Sequence, residues 1–236
     1  MNKVGVLGYG EVGRAVASLY KTKPKIKDLE HNGSLKDLDI VHICIPFSKD
    51  FEDIVVAFLK QNNPKYCIIH STVAPQTTEN INKKTDSIFN VCHAPVRGIH
   101  PNLREGLLTF ESYLGSDFDC EEIQKHLSSL GLKIIKVSSL TSEMSKLLDT
   151  TYYGLCIAWH GEVKKMCDQL NIDFDEVCTF YNRTYNEGYK KLGKENVVRP
   201  VLTPPKKIGG HCIIPNTEIL KENFTSSAFD FILQYK

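Results

Sequence analysis

The sequence predicts an α/β fold, a Rossmann-type doubly wound parallel sheet followed by a smaller all-helical domain with one long central helix. Three observations predict it. A short apolar strand, Val4 to Leu7, runs into Gly8, Gly10 and Gly13 spaced as Gly-x-Gly-x-x-Gly, and then into a helical run carrying Val16, Ala17 and Leu19. Strand-like and helix-period stretches then alternate to Val137, the pattern of parallel strands joined by crossover helices. From Thr141 to about Leu170 the periodicity is helical without a proline, interrupted only by Gly154 and Gly161. A helix of that length, ~45 Å, exceeds a simple crossover.

Each glycine of the first stretch has a physical job in a dinucleotide site. Gly8 makes the tight turn, Gly10 lets backbone approach a pyrophosphate, and Gly13 lets the helix pack on the strand. The loop also carries Tyr9, and the amides near Glu11 and Val12 point at the phosphates with the helix dipole behind them. Lys25 to Glu30 reads as a second strand ending in acid. Asp28, twenty residues beyond Gly8, is the candidate partner of the adenosine ribose hydroxyls and favours NAD. Glu30 is a rival for that role, and the neighbouring lysines keep NADP open.

Asp39 to Ile45 reads as a buried strand ended by Pro46, since proline cannot continue a ladder. A helix follows over Phe51 to Leu59, then a strand over Tyr66 to His70 with Ser71 and Thr72 at its carboxyl end. Ligands of open α/β sheets sit at those ends, so Pro46, Ser71 and Thr72 are candidates to line a cofactor crevice. Ile88 to Cys92 is the next strand, His93 to Gly106 a polar loop, and Leu107 to Leu114 and Lys133 to Val137 are late strands flanking a helix over Cys120 to Leu130. Asp173 to Leu192 reads as a second long helix. The expected division is residues 1–138 for the cofactor domain and 139–236 for a helical substrate and dimerisation domain. Leu147, Leu148, Leu155 and Ile157 on the long helix need cover, which predicts a homodimer.

The 236 residues suit one large domain or two smaller ones. Lysine plus arginine, 29, nearly cancel aspartate plus glutamate, 28, and no basic stripe points to nucleic acid. No apolar run approaches the ~20 residues that span a bilayer, and no signal peptide is visible. The eight cysteines include no C-x-x-C pair, which fits thiols in a reducing, cytoplasmic setting better than a disulfide framework. The sequons Asn32-Gly33-Ser34 and Asn182-Arg183-Thr184 read as chance in that setting.

Cys212 is the most suggestive side chain. Gly209 and Gly210 allow close backbone approach to a ligand, while Lys206, Lys207 and His211 add positive charge, which favours the nucleophilic thiolate form of a thiol. The plainer reading is one more small buried hydrophobe. Lys146 follows Glu143 by one turn among Met144, Leu147, Leu148 and Tyr152. A desolvated lysine there suits an acid, a base or a clamp on an alcohol oxygen. His93, Arg97, His100 and Arg104 read as donors for an anionic or polyhydroxyl substrate, or as an ordinary polar loop. No third ligand is evident that would make the histidines a metal site.

These stretches together resemble the UDP-glucose/GDP-mannose dehydrogenases, which oxidise a nucleotide-sugar alcohol to a carboxylate with NAD. The matching residues are Gly8 to Gly13, Ser71-Thr72-Val73, the Glu-x-x-Lys of Glu143 and Lys146, Glu162, and Gly209-Gly210-His211-Cys212. The last is the most specific. The resemblance implies Lys146 as the catalytic lysine and Cys212 as the nucleophile, with Gly210 and His211 at the substrate. Thr150 stands where the family has asparagine and Asn216 where it has aspartate; both are candidate catalytic positions. Of the family's Asn-Pro-Glu-Phe-Leu-Arg-Glu-Gly, the stretch Ile99 to Gly106 keeps the final Leu-Arg-Glu-Gly. Family members carry a third domain that holds the nucleotide, and a chain ending at Lys236 is expected to be a form without it.

The expectation is an NAD-dependent oxidoreductase acting on a sugar or hydroxy-acid alcohol. The wider 6-phosphogluconate dehydrogenase group, similar in its sheet and helix lysine, keeps a single two-electron step open. The alternative is a catalytically reduced NAD(H)-binding sensor or partner subunit. A cysteine-dependent hydrolase leaves the glycine motif unexplained.

Overall fold

The computed structural model describes residues 3–236. Among them, compact packing divides the chain inside one helix: a first unit extends to Lys146 and a second covers Leu147–Lys236.

The first unit opens with β1 (Val4–Leu7), α1 (Glu11–Ala17), β2 (Lys25–Lys27) and β3 (Ile40–Ile43), followed by α2 (Phe51–Asn62) and β4 (Tyr66–Ile69). Then come α3 (Thr77–Lys84), β5 (Asn90–His93), α4 (Leu103–Thr109), β6 (Glu111–Gly115), α5 (Glu121–Ser129) and β7 (Lys133–Val137). Helix α6 (Ser139–Leu170) starts here and ends in the second unit. The strands form one sheet in the order β2-β1-β3-β4-β5-β6-β7. All neighbours are parallel except β5 and β6. From β1 the chain steps first to β2 and then back across to β3, so the switch point, where open sheets take ligands, lies between β1 and β3.

Strands β3 and β4 are buried along their whole length, as parallel strands covered on both faces must be. Alternation sends Val41, Ile43, Cys67 and Ile69 to the side of Phe51, Val55, Leu59 and Ile81. Ile40 and Ile68 go to the other side, with Leu114, Ile123 and Leu127. By the same alternation His42 and His70 fall on that second face, where their rings stack at 5.0 Å.

Two local expectations are corrected. Residues 103–109 are helical, not loop running into strand, because Leu103 and Leu107, four apart, both reach the core beside Ala15 and Val16. The strand there shrinks to β6. The strand expected from Ile88 begins at Asn90, Ile88 being 70 % exposed. Helix α3 has a strongly polar sequence and gave no apolar signal.

Compactness places the first two turns of α6 with the sheet, later than the change of sequence character at Ser139. The Ser139 amide donates to Asp117 at 3.1 Å, and a Cβ on Gly115 would lie 2.6 Å from that of Ser142.

The second unit continues α6, then a π-helical turn (Asp175–Phe180) leading directly into α7 (Tyr181–Lys191), and ends with α8 (Ile213–Asn223) and α9 (Ser227–Leu233). The second helix read from the sequence is therefore this π turn plus α7. Ala158, Ile208, Ile213, Ile214, Ile232 and Tyr235 form the core. The two glycines of α6 explain themselves here: a Cβ at Gly154 would meet Ile213 at 2.5 Å, and one at Gly161 would meet the Tyr235 ring at 2.4 Å. Leu147, one of the residues thought to need cover, is fully buried, whereas Leu148, Tyr152 and Trp159 are exposed. Asn182 donates to Pro200 O at 3.2 Å, and the Asn186 amide group bonds both the N–H and the C=O of Arg199.

Four rings form a chain through the first unit. His70 Nδ1–H donates to Ala94 O at 2.6 Å, which leaves His70 Nε2 to accept from His42 Nδ1–H at 2.8 Å. His42 Nε2 accepts from Tyr20 O–H at 2.6 Å, and the Tyr20 oxygen accepts from His126 at 2.8 Å. Burial holds His42 well below the usual imidazole range and takes His70 down to about 4; it also takes His93 down to about 3. These rings stay neutral in the fold, while an unfolded chain protonates them near pH 6.5. Stability is therefore full above that pH and falls as pH drops toward the folded values, by about 1.4 kcal/mol per histidine per pH unit. For three histidines, urea unfolding should lose about 4 kcal/mol between pH 7.5 and 5.5. A flat profile over that interval refutes the neutral assignment.

Candidate functional site

In the first unit, the carboxyl ends of β1, β2, β3 and β4 bring together most of the residues expected at a cofactor. Gly8 has φ +90°, and a Cβ there would sit 2.8 Å from the Cys44 carbonyl, so only glycine makes this turn. A Cβ on Gly13 would lie 1.9 Å from Gly8 O, so this glycine lets α1 seat on β1. Around Gly10 nothing lies within 4 Å of the added carbon. The loop is therefore tight at both ends and open in the middle, where the first amides of α1 have no helical partner of their own.

Asp28 follows β2, and its carboxylate accepts the Tyr9 N–H and, at 2.5 Å, the Leu29 N–H. The Tyr9 amide, then the Leu29 amide, hold this carboxyl below the usual range, with His31 and Arg14 adding to the effect. Glu30, its rival in the sequence, is exposed. Tyr9 packs edge-on to His31 at 5.1 Å, and Lys23 lies 5.3 Å above its ring. Pro46 is exposed at the end of β3; Ser71, at the end of β4, donates from its hydroxyl to Ile45 O at 2.5 Å, and Thr72 beside it is half-buried. An open, backbone-lined loop next to an ionised carboxylate fits a dinucleotide's pyrophosphate and ribose.

The polar loop expected to meet substrate is dispersed. His93 is fully buried, with Nε2–H on Ser71 O at 3.0 Å and Nδ1 against the Ser142 hydroxyl at 2.9 Å. That leaves no edge for a substrate, and the expected substrate role is withdrawn for this residue. His100 pairs with Glu11 at the start of α1, which puts it beside the glycine loop. Arg97 lies over Phe110 at 5.3 Å and donates to Glu111 O. Arg104, whose Nε donates to Ser18 O, lines a cleft of about 430 Å³ with Glu11, Arg14 and Glu105.

Glu143 is 1 % exposed, and its carboxylate accepts from Gln76 N at 2.7 Å, Thr78 N at 2.8 Å and Thr78 Oγ1 at 2.6 Å. It caps α3, which the sequence could not reveal across 65 residues. Burial pushes its carboxyl up against those three hydrogen bonds. Lys146, one turn on, is half-buried rather than desolvated, and its charge is among the causes that keep His93 neutral.

In the second unit, Cys212 is half-buried at the residue preceding α8, with Asn216 N donating to its carbonyl at 3.0 Å. Helix N-termini favour negative charge at such a position. Gly210 has φ +84°, and both Gly209 and Gly210 stand in open space, next to exposed His211. Asn216 is 5 % exposed, and its Nδ2, like Thr151 Oγ1, is buried with no protein partner among the described residues. Two such groups suit a water or a ligand hydroxyl. Sequence reading singled out half-buried Thr150 and missed Thr151, because helical phase alone does not say which of two adjacent threonines turns inward. Glu162 accepts from Tyr235 O–H and from Lys165, both at 2.6 Å, and so ties the C-terminal segment to α6.

Comparison with known proteins follows the same residues. Positions 140–234 match the UDP-glucose/GDP-mannose dehydrogenase family, central domain. UDP-N-acetyl-D-mannosamine dehydrogenase of Methanococcus maripaludis is 25 % identical over 96 % of this chain and 54 % of its own length. Its counterpart in Methanocaldococcus jannaschii is 29 % identical over 64 % of this chain and 34 % of its own. The chain thus spans about half the length of the curated relatives it matches. Among solved structures, a UDP-D-ManNAc dehydrogenase from Pyrococcus horikoshii superposes with a TM-score of 0.79 at 18 % identity, covering 98 % of this chain and 67 % of that one. A 3-hydroxyisobutyrate dehydrogenase from Mycobacterium tuberculosis gives 0.68 at 14 % identity, covering 98 % and 91 %. These likenesses establish the fold, and residues 140–234 match the model of the UDP-glucose/GDP-mannose dehydrogenase family, central domain.

Proposed function

We propose that the protein is an NAD-dependent oxidoreductase whose substrate is the CH–OH group of a sugar, a nucleotide sugar by analogy with its relatives, or of a hydroxy acid. The observation that carries this reading is the open, amide-lined Gly10 loop with the Asp28 carboxylate bonded to it. Gly8, Tyr9, Gly10, Glu11, Val12 and Gly13 would hold the pyrophosphate, Asp28 the ribose, and Pro46, Ser71 and Thr72 the crevice beyond. Bound there, NAD supplies a hydride acceptor. Asp28 disfavours a 2′-phosphate by charge, while Lys23 and Arg14 are the groups that would accept NADP. The first unit serves as cofactor domain, and the second as substrate and dimerisation domain.

Lys146 has the chemistry to hold the substrate oxygen and stabilise negative charge as it develops there. Once the alcohol carbon has given a hydride to NAD, the Cys212 sulfur would add to the resulting aldehyde carbon as the carbonyl oxygen takes the thiol proton, and loss of a second hydride to a second NAD would leave a thioester for water to cleave. Asn216 is neutral and cannot take a proton from that water, although its unpartnered amide can hydrogen-bond it. Hydrolysis is therefore the slow half in this reading. Arg97 and His211 remain exposed donors for the substrate, and His100 fits the pyrophosphate side beside Glu11. Exposed Leu148, Tyr152 and Trp159 on α6 support a homodimer, for which light scattering at micromolar concentration is the test.

The cofactor loop and the catalytic pair should separate cleanly. Gly10→Ala fills open space, so its melting temperature should match the wild type while NAD(H) affinity falls by about tenfold or more. Lys146→Ala and Cys212→Ala should keep that affinity within about twofold and lose at least about 100-fold in turnover. A thermal-shift panel of NAD, NADH and NADP with UDP-sugars, phosphosugars and hydroxy acids identifies the substrate class, since saturation at a hundredfold Kd adds ~2.7 kcal/mol. Stabilisation by NAD(H) alone, with no turnover of any alcohol, would replace the enzyme by a redox sensor or partner subunit.

A further inference from the structure

The loop between β4 and α3 is held at both ends by consecutive residues of α6. At its start, Ser71 O accepts from His93, whose other nitrogen meets Ser142; at its end, Gln76 and Thr78 donate to Glu143. His93 and Glu143 are both essentially inaccessible to solvent, and neither is used by the chemistry proposed above. Ser142 precedes Lys146 by four residues and Glu143 precedes it by three, the spacings that stack side chains on one helix face. The same turn has no slack toward β6, where Gly115, paired with His93, fits only because it lacks a Cβ beside Ser142.

We propose that His93 and Glu143 are positioning residues that lock the 71–78 loop and the Lys146 turn of α6 into one rigid piece. The lysine is then aimed by the same contacts that shape the end of β4. His93 serves as the bridge because one neutral ring donates to a carbonyl and accepts from a hydroxyl at once. Glu143 does the corresponding work at the other end through two amides and a hydroxyl. The assignment rests on the reading that Thr72 and Ser71 line the cofactor crevice and that Lys146 acts on substrate.

The test uses the full chain with Ser142→Ala, His93→Leu and Glu143→Gln, each checked by circular dichroism. Ser142→Ala is the mildest of the three and keeps the question open if the others do not fold. Without ligand, competitive acetic anhydride labelling read by peptide mass spectrometry should show the Lys146 rate changed by about threefold or more. Exposed Lys60 should label as in the wild type. With substrate, kcat should fall by about 10- to 100-fold, since a small misplacement of a reacting group is costly, and in Ser142→Ala, which leaves the His93–Ser71 bond in place, the cofactor KM should stay within about twofold. Wild-type labelling and kcat in a folded Ser142→Ala protein overturn the proposal. If no alcohol is turned over even by the wild type, the dehydrogenase reading fails, and the labelling still decides whether this clamp sets Lys146.

Discussion

Backbone packed on backbone is the constraint from which the first unit grows. Gly8 lies against the Cys44 carbonyl and Gly13 against Gly8 O, at separations no side chain survives. Those two contacts fix β1, β3 and α1 relative to each other, and so fix the direction in which the loop between them opens. Asp28 is then drawn in by the Tyr9 amide. Everything assigned to the cofactor end depends on this junction, which is why three glycines matter more to it than any charged side chain.

Much of this was legible in the residues. The glycine spacing, the apolar runs of β1, β3 and β4, Asp28 and the long α6 all announce themselves through local rules. What was not legible came from distant pairings. His93 looked like a loop donor because nothing near it in sequence shows that Ser71 and Ser142 will surround it. Glu143 looked like half of a Glu-x-x-Lys pattern, yet its observed partners are on α3. Residues 107–114 carry enough apolar character for a strand, and only the packing of Leu103 and Leu107 beside α1 decides for a helix up to Thr109.

The second unit shows the same division in another form. Gly154 and Gly161 read as weak points in a helix, but each is where a neighbour comes closest: Ile213 against one, Tyr235 against the other. Their cost in helix propensity, about 1 kcal/mol each, is offset by the contact it permits. Cys212 owes its place at the head of α8 to this seam, since Ile213 follows it directly in the chain.

The π turn between Asp175 and Phe180 has a consequence for how this chain can change over evolutionary time. Such a turn carries one residue more than the α-helix it replaces, and α7 continues from it without a break. Removing one residue from the turn itself would restore ordinary helical winding with α7 kept in phase, whereas losing one at the start of α7 with the turn kept would rotate the helix by about 100° about its axis. Asn182 and Asn186 would swing away from Pro200 and Arg199, whose backbone they hold at the entrance to the segment that ends in Gly209-Gly210-His211-Cys212. Length variation between relatives should therefore be tolerated after Lys191, where the chain leaves the helix, and as a single residue within the π turn, and purged between the two.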